Sequence, residues 1–192
     1  MSNEKDIIEY TLHAYDTFWE YYKKSLDERN NILNNYMIFV GIPISIIGVF
    51  IDKIKNNFDN YLILIVLLLI IIFILGLVMY SIYIIEGLVS QRYLQRINHI
   101  TQYLINNFDR SYHNVFKETY ELGSLFLDNN YSKKQRLNKS FIIIIVNTII
   151  IIGIFILLCG NTTWYQILLP TVFSIVTHIF IFVYYNKKIK HN

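Results

Sequence analysis

The sequence predicts an all-α membrane protein: four transmembrane helices, two of them extended into a cytoplasmic helical bundle. Three observations predict it. First, none of the 17 Lys and Arg or 14 Asp and Glu side chains falls within the apolar runs 36–51, 61–85, 141–159 and 163–185. A charge at the bilayer centre costs about 2.5–3.5 kcal/mol, and about 20 apolar residues cross the hydrocarbon core. Second, Lys and Arg are distributed unevenly between the connecting segments. Third, the longest polar segments carry apolar stripes at helical spacing, and no strand-like alternation occurs anywhere.

Orientation follows from the basic residues. Four precede the first run (Lys5, Lys23, Lys24, Arg29), eight lie between the second and third, and three follow the fourth. Only Lys53 and Lys55 occupy the first hairpin loop, and 160–162 has none. The positive-inside rule therefore predicts cytoplasmic termini and a cytoplasmic 86–140 segment. The expected organisation is a cytoplasmic N-terminal helix (1–35), a transmembrane hairpin (36–85), a cytoplasmic helical insert (86–140), a second hairpin (141–185) and a basic cytoplasmic tail (186–192). The first 34 residues hold seven acids and four bases. That is not a basic leader before an apolar core, so no cleavable signal peptide is expected.

The N-terminal segment places Ile8, Leu12, Tyr15, Trp19, Tyr22, Leu26 and Leu33 in a heptad stripe, with Arg29 in its one gap. No Gly or Pro interrupts it before Gly41, so one helix from about residue 4 should run into the first span. A second stripe (Ile85, Val89, Tyr93, Ile97, Ile100, Leu104) continues the second span inward. Residues 111–127 form a third amphipathic piece, with Gly123 as its expected break. Within the first span, Gly41, Ser45 and Gly48 share a face, and small residues so spaced predict a tight helix contact.

The fourth run has the clearest polar pattern. At 100° per residue, Thr163, Gln166, Thr171, Ser174, Thr177, His178 and Tyr185 fall within about 140°. Such a stripe must face protein or water, because an unpaired polar group in lipid costs several kcal/mol. It is either a pore lining in an oligomer (Thr171, Ser174, Thr177, His178) or a helix–helix interface. Pro170 predicts a kink in the same helix.

The basic residues beyond the second span are the candidate ligand site. Arg92, Arg96 and His99 lie at i, i+4 and i+7, followed by Tyr103 and Arg110, with Lys133, Lys134 and Arg136 further on. Guanidinium groups beside aromatic rings suit phosphates and stacked bases, so a nucleotide or single-stranded oligonucleotide is the candidate ligand. The alternative is contact with anionic lipid headgroups.

Enzyme chemistry is not expected. Glu9, His13, Asp16 and Glu20 share one helix face, but Lys23, Lys24 and Asp27 continue it, as on a solvated, salt-bridged surface. Ser174 and His178 lie one turn apart, yet no carboxylate in any span orients the histidine. Phosphate-loop, dinucleotide and zinc-protease motifs are absent, so no cofactor or metal is implied. Cys159 is the single cysteine, which excludes an intramolecular disulfide. The wealth of Ile, Asn, Lys and Tyr points to an AT-rich, bacterial genome.

With the segment WEYYKKSLDERNNILNNY leading into MIFVGIPISIIGVF, four spans and a helical insert, the chain resembles the small membrane effectors of bacterial anti-phage systems of the CBASS and Hailong type. The resemblance lies in architecture, with no motif through which binding residues carry over. It implies a homo-oligomer in the bacterial inner membrane. A nucleotide or oligonucleotide signal made by a partner nucleotidyltransferase would gate it, as a channel or a membrane-disrupting effector. The other class left open is a non-conducting membrane scaffold or regulatory subunit that recruits a cytosolic partner.

Overall fold

The computed structural model describes residues 2–49, 58–107, 129–159 and 164–190, with side chains described over 6–49, 61–104, 106, 139–159 and 164–187. These residues form four helices: α1 (Ser2–Val49), α2 (Phe58–Asn107), α3 (Asn129–Cys159) and α4 (Trp164–Lys190). There is no strand among them. Each helix contains a stretch long and apolar enough to cross a membrane. The 111–127 piece with Gly123 and both hairpin turns lie outside the described residues.

α1 and α2 are unusually long, 48 and 50 residues, about 72 and 75 Å at 1.5 Å per residue. That is more than twice a ~30 Å hydrocarbon core, so both helices continue well past their apolar runs. Continuity follows from composition: α1 has no Gly or Pro before Gly41, and Pro43 falls inside the helix without ending it. Pro170 likewise sits within α4, and the helix continues to Lys190.

The chain divides into two compact units. One comprises Met1–Arg29 and Glu86–Leu137; the other comprises Asn30–Ile85 and Asn138–Asn192. In the first, α1 and α2 pair antiparallel. Ser25 Oγ lies 2.7 Å from Ser90 Oγ and 3.2 Å from both the backbone oxygen and Oε2 of Glu86. Further along, the Tyr93 ring meets those of Phe18 and Tyr21 at 6.4 and 5.6 Å. Leu88, Leu94, Ile97 and Leu104 are buried on α2, and Ser25 and Arg29 on α1.

The predicted α1 stripe is only half-covered. Tyr15, Trp19, Tyr22, Leu26 and Leu33 are partly buried, and Leu12 is exposed. The most buried α1 residues here are Ser25 and Arg29 instead, with Ser25 within hydrogen-bond reach of the α2 backbone at Glu86. On α2, Ile97 and Leu104 of the predicted stripe are buried, whereas Ile85, Val89, Tyr93 and Ile100 sit at its edge.

In the second unit every helix contributes one buried line. These are Tyr36 and Val40 on α1; Ile65, Ile72, Phe73, Tyr80 and Tyr83 on α2; Ile143, Asn147, Ile150 and Ile154 on α3; and Pro170, Ser174 and His178 on α4. The remaining circumference is apolar and exposed, including Leu168, Val172, Ile175, Val176, Ile179 and Phe180 on α4. Lipid suits such faces. The small-residue face of α1 corrects one expectation. A methyl group added at Gly41 or Gly48 would meet nothing within 4 Å, so Gly41, Ser45 and Gly48 make no tight helix contact among the described residues. The buried line of α1 ends at Val40, and the helix beyond it is uncovered.

Candidate functional site: a polar hub among four helices

The third apolar run contains an isolated polar pair, Asn147-Thr148, amid isoleucines. The helix turns both side chains toward α4, and Asn147 is fully buried. Tyr36 on α1 donates its hydroxyl proton to Asn147 Oδ1 at 2.8 Å. Asn147 Nδ2 lies 3.1 Å from His178 Nε2, and His178 Nδ1 lies 2.7 Å from the Ser174 carbonyl oxygen. A carbonyl oxygen only accepts, which assigns the proton to Nδ1. Nε2 is then the acceptor for the Asn147 amide, and the ring is a neutral imidazole of one tautomer.

A second link runs alongside. Thr148 donates to the Ile144 carbonyl at 2.7 Å, which leaves its oxygen to accept from Ser174, 2.9 Å away. The Tyr80 ring stands edge-on to the His178 ring at 4.7 Å. Room for the amide comes from Gly76 on α2, where a Cβ would collide with Asn147 Oδ1 and lie 2.6 Å from its Cγ. One hub thus joins α1, α3 and α4 through complementary donors and acceptors, with α2 packed against it through Gly76 and the Tyr80 ring.

The four residues of the predicted lining are divided by this arrangement. Ser174 and His178, 0 % and 1 % exposed, face other helices of the same chain. Thr171 and Thr177 are half-buried and donate to the carbonyls one turn back, Ile167 at 2.6 Å and Phe173 at 2.8 Å. Of the two arrangements open to this stripe, Ser174 and His178 adopt the helix–helix interface within one chain.

On α2, Arg92, Arg96, His99 and Tyr103 are all exposed and share one face. The Arg96 guanidinium lies 5.2 Å from the centre of the Phe18 ring, a cation–π distance. Arg110 lies outside the described residues. Lys133, Lys134 and Arg136 belong to α3, with their side chains outside the described set. Among the described residues no group of His, Cys, Asp and Glu is placed to hold a metal ion.

Sequence reasoning missed Asn147, Thr148, Tyr36, Tyr80 and Gly76. The detectable signal was Asn147, an amide at the middle of an isoleucine run, where only a hydrogen-bonding neighbour makes it tolerable. Comparison with known proteins finds no matching family model, no similar curated protein and no similar solved structure.

Proposed function

We propose that this chain is a homo-oligomeric effector of the bacterial inner membrane. Both termini and the 86–140 segment are cytoplasmic in this reading. The paired cytoplasmic helices receive a nucleotide or oligonucleotide signal in anti-phage defence and alter membrane permeability in response. The observation that carries the reading is the exposed row Arg92, Arg96, His99 and Tyr103 on α2, with Arg96 over the Phe18 ring. Guanidinium donors beside aromatic faces suit a phosphate with an attached base.

The sealed hub favours a second reading, a non-conducting scaffold or regulatory subunit that recruits a cytosolic partner. Ser174 and His178 are committed to Thr148 and Asn147, so a conduction path along this arc requires the hub to open. Ion flux through liposomes containing the purified full chain, with and without cyclic dinucleotides or short oligoadenylates, separates the two. Flux that changes with ligand supports the effector. A membrane that stays tight with every ligand supports the scaffold.

A further inference from the structure

The first unit carries two charged stripes of opposite sign and identical spacing. On α1, Glu9, His13, Asp16 and Glu20 follow a 4-3-4 pattern, and all are exposed. From Asp6 to Tyr22 there is no Lys or Arg. On α2, Arg92, Arg96, His99 and Tyr103 follow the same pattern, also exposed, and no Asp or Glu occurs from Gly87 to Asn107. Each stripe spans about 16 Å of helix and an arc of about 60°.

Two geometric relations connect them. The stripes lie on different edges of the helix pair: α1 meets α2 through Phe18, Tyr21 and Ser25, and the acidic stripe is centred about 145° around the helix from those residues. The arginine stripe is centred about 120° around α2 from Ser90, Tyr93 and Ile97, with Arg96 at its near edge over the Phe18 ring. The antiparallel pairing also sets the stripes at the same level. Phe18 beside Tyr93 and Arg96 places Glu20 level with Arg92, Asp16 with Arg96, and Glu9 with Tyr103.

We propose that the acidic stripe of α1 docks on the arginine stripe of α2 in a second copy of this chain. Copies inserted into one bilayer in the same sense hold every residue at a common height. Sideways approach therefore brings Glu20 to Arg92 and Asp16 to Arg96 of the neighbour without any shift in register. Because the two stripes occupy different edges, the contact is head-to-tail and not a two-fold dimer; it closes into a ring where successive copies are rotated and extends as an open row where they are not. Arg92 and Arg96 also belong to the ligand site proposed above, so in this arrangement they meet the neighbouring chain and not a nucleotide.

The test uses the full chain in lipid nanodiscs or mild detergent, with particle mass as the readout. Reversing one stripe (Asp16→Arg with Glu20→Arg, or Arg92→Glu with Arg96→Glu) should weaken self-association at least about tenfold, since facing like charges costs several kcal/mol. Mixing the two reversed chains restores opposite charges at both edges when the copies alternate, and should recover assembly that neither forms alone. All four reversals in one chain should restore the wild-type mass. A second measurement covers the case in which reversal disturbs folding. In a Cys159→Ser background, a Glu20→Cys chain mixed with an Arg92→Cys chain should form a disulfide-linked dimer far more readily than either alone. Wild-type assembly by the reversed chains, or no preference for the mixed disulfide, overturns the proposal.

Discussion

The Tyr36 hydroxyl donates to Asn147 Oδ1 at 2.8 Å, joining the first apolar helix to the third across 111 residues of sequence. Its loss can be separated from the loss of the whole hub. Tyr36→Phe keeps the ring and removes one donor, a change expected to destabilise by about 1 kcal/mol. Asn147→Ala also strips the donor from His178 Nε2 and should cost more, about 1–3 kcal/mol. Thermal unfolding of both variants in one detergent checks the order; equal or reversed effects would refute the hydrogen-bond chain.

Gly76 has a specific steric role. In Gly76→Ala the new methyl collides with the Asn147 amide, which must rotate and release Tyr36. Overpacking of this kind costs about 1–3 kcal/mol. In contrast, Gly41→Ala and Gly48→Ala fill open space and should leave the monomer's melting temperature unchanged. Side-by-side melts of the three alanine variants decide the matter.

Tyr22 supplies a pH dependence. Burial pushes its hydroxyl above the usual 10.0, and the Arg29 guanidinium pulls it part of the way back. The folded chain therefore holds this proton to higher pH than the unfolded chain. The resulting stability is present below pH 10 and is lost as pH rises through the folded value. Unfolding followed between pH 8 and 11 should show a steeper decline for the wild type than for Tyr22→Phe.

Orientation is open to direct labelling. A cysteine at Asn56, in a Cys159→Ser background, should react with an impermeant thiol reagent added to intact cells. One at Asn114 should react only after permeabilisation. The opposite pattern would invert the topology and rule out cytoplasmic sensing.

The parts of this fold legible in the sequence are those set by single-residue rules. Charge exclusion located the spans, and the lack of Gly and Pro before Gly41 foretold a continuous α1. The α4 stripe was visible as a stripe, but its neighbour was not. Spacing along one helix shows which residues share a face, whereas the partner of Ser174 depends on where Thr148 arrives from another helix. The same limit applies to the Gly41, Ser45 and Gly48 face, which has no neighbour among the described residues. Small residues permit close approach, but whether a helix takes that place is decided elsewhere in the packing. Gly76 could be understood only once Asn147 was seen against it.

The order in which the hub's members are synthesised bears on how the chain matures. Tyr36 and Gly76 emerge first, Asn147 next and His178 last. Until α4 arrives, the third helix holds an amide with one hydrogen-bonding neighbour in place and the imidazole acceptor still missing. The first three helices alone thus leave a buried amide half-satisfied. Arrival of α4 supplies the His178 acceptor, so the hydrogen bonding of this amide is completed only by the last helix made.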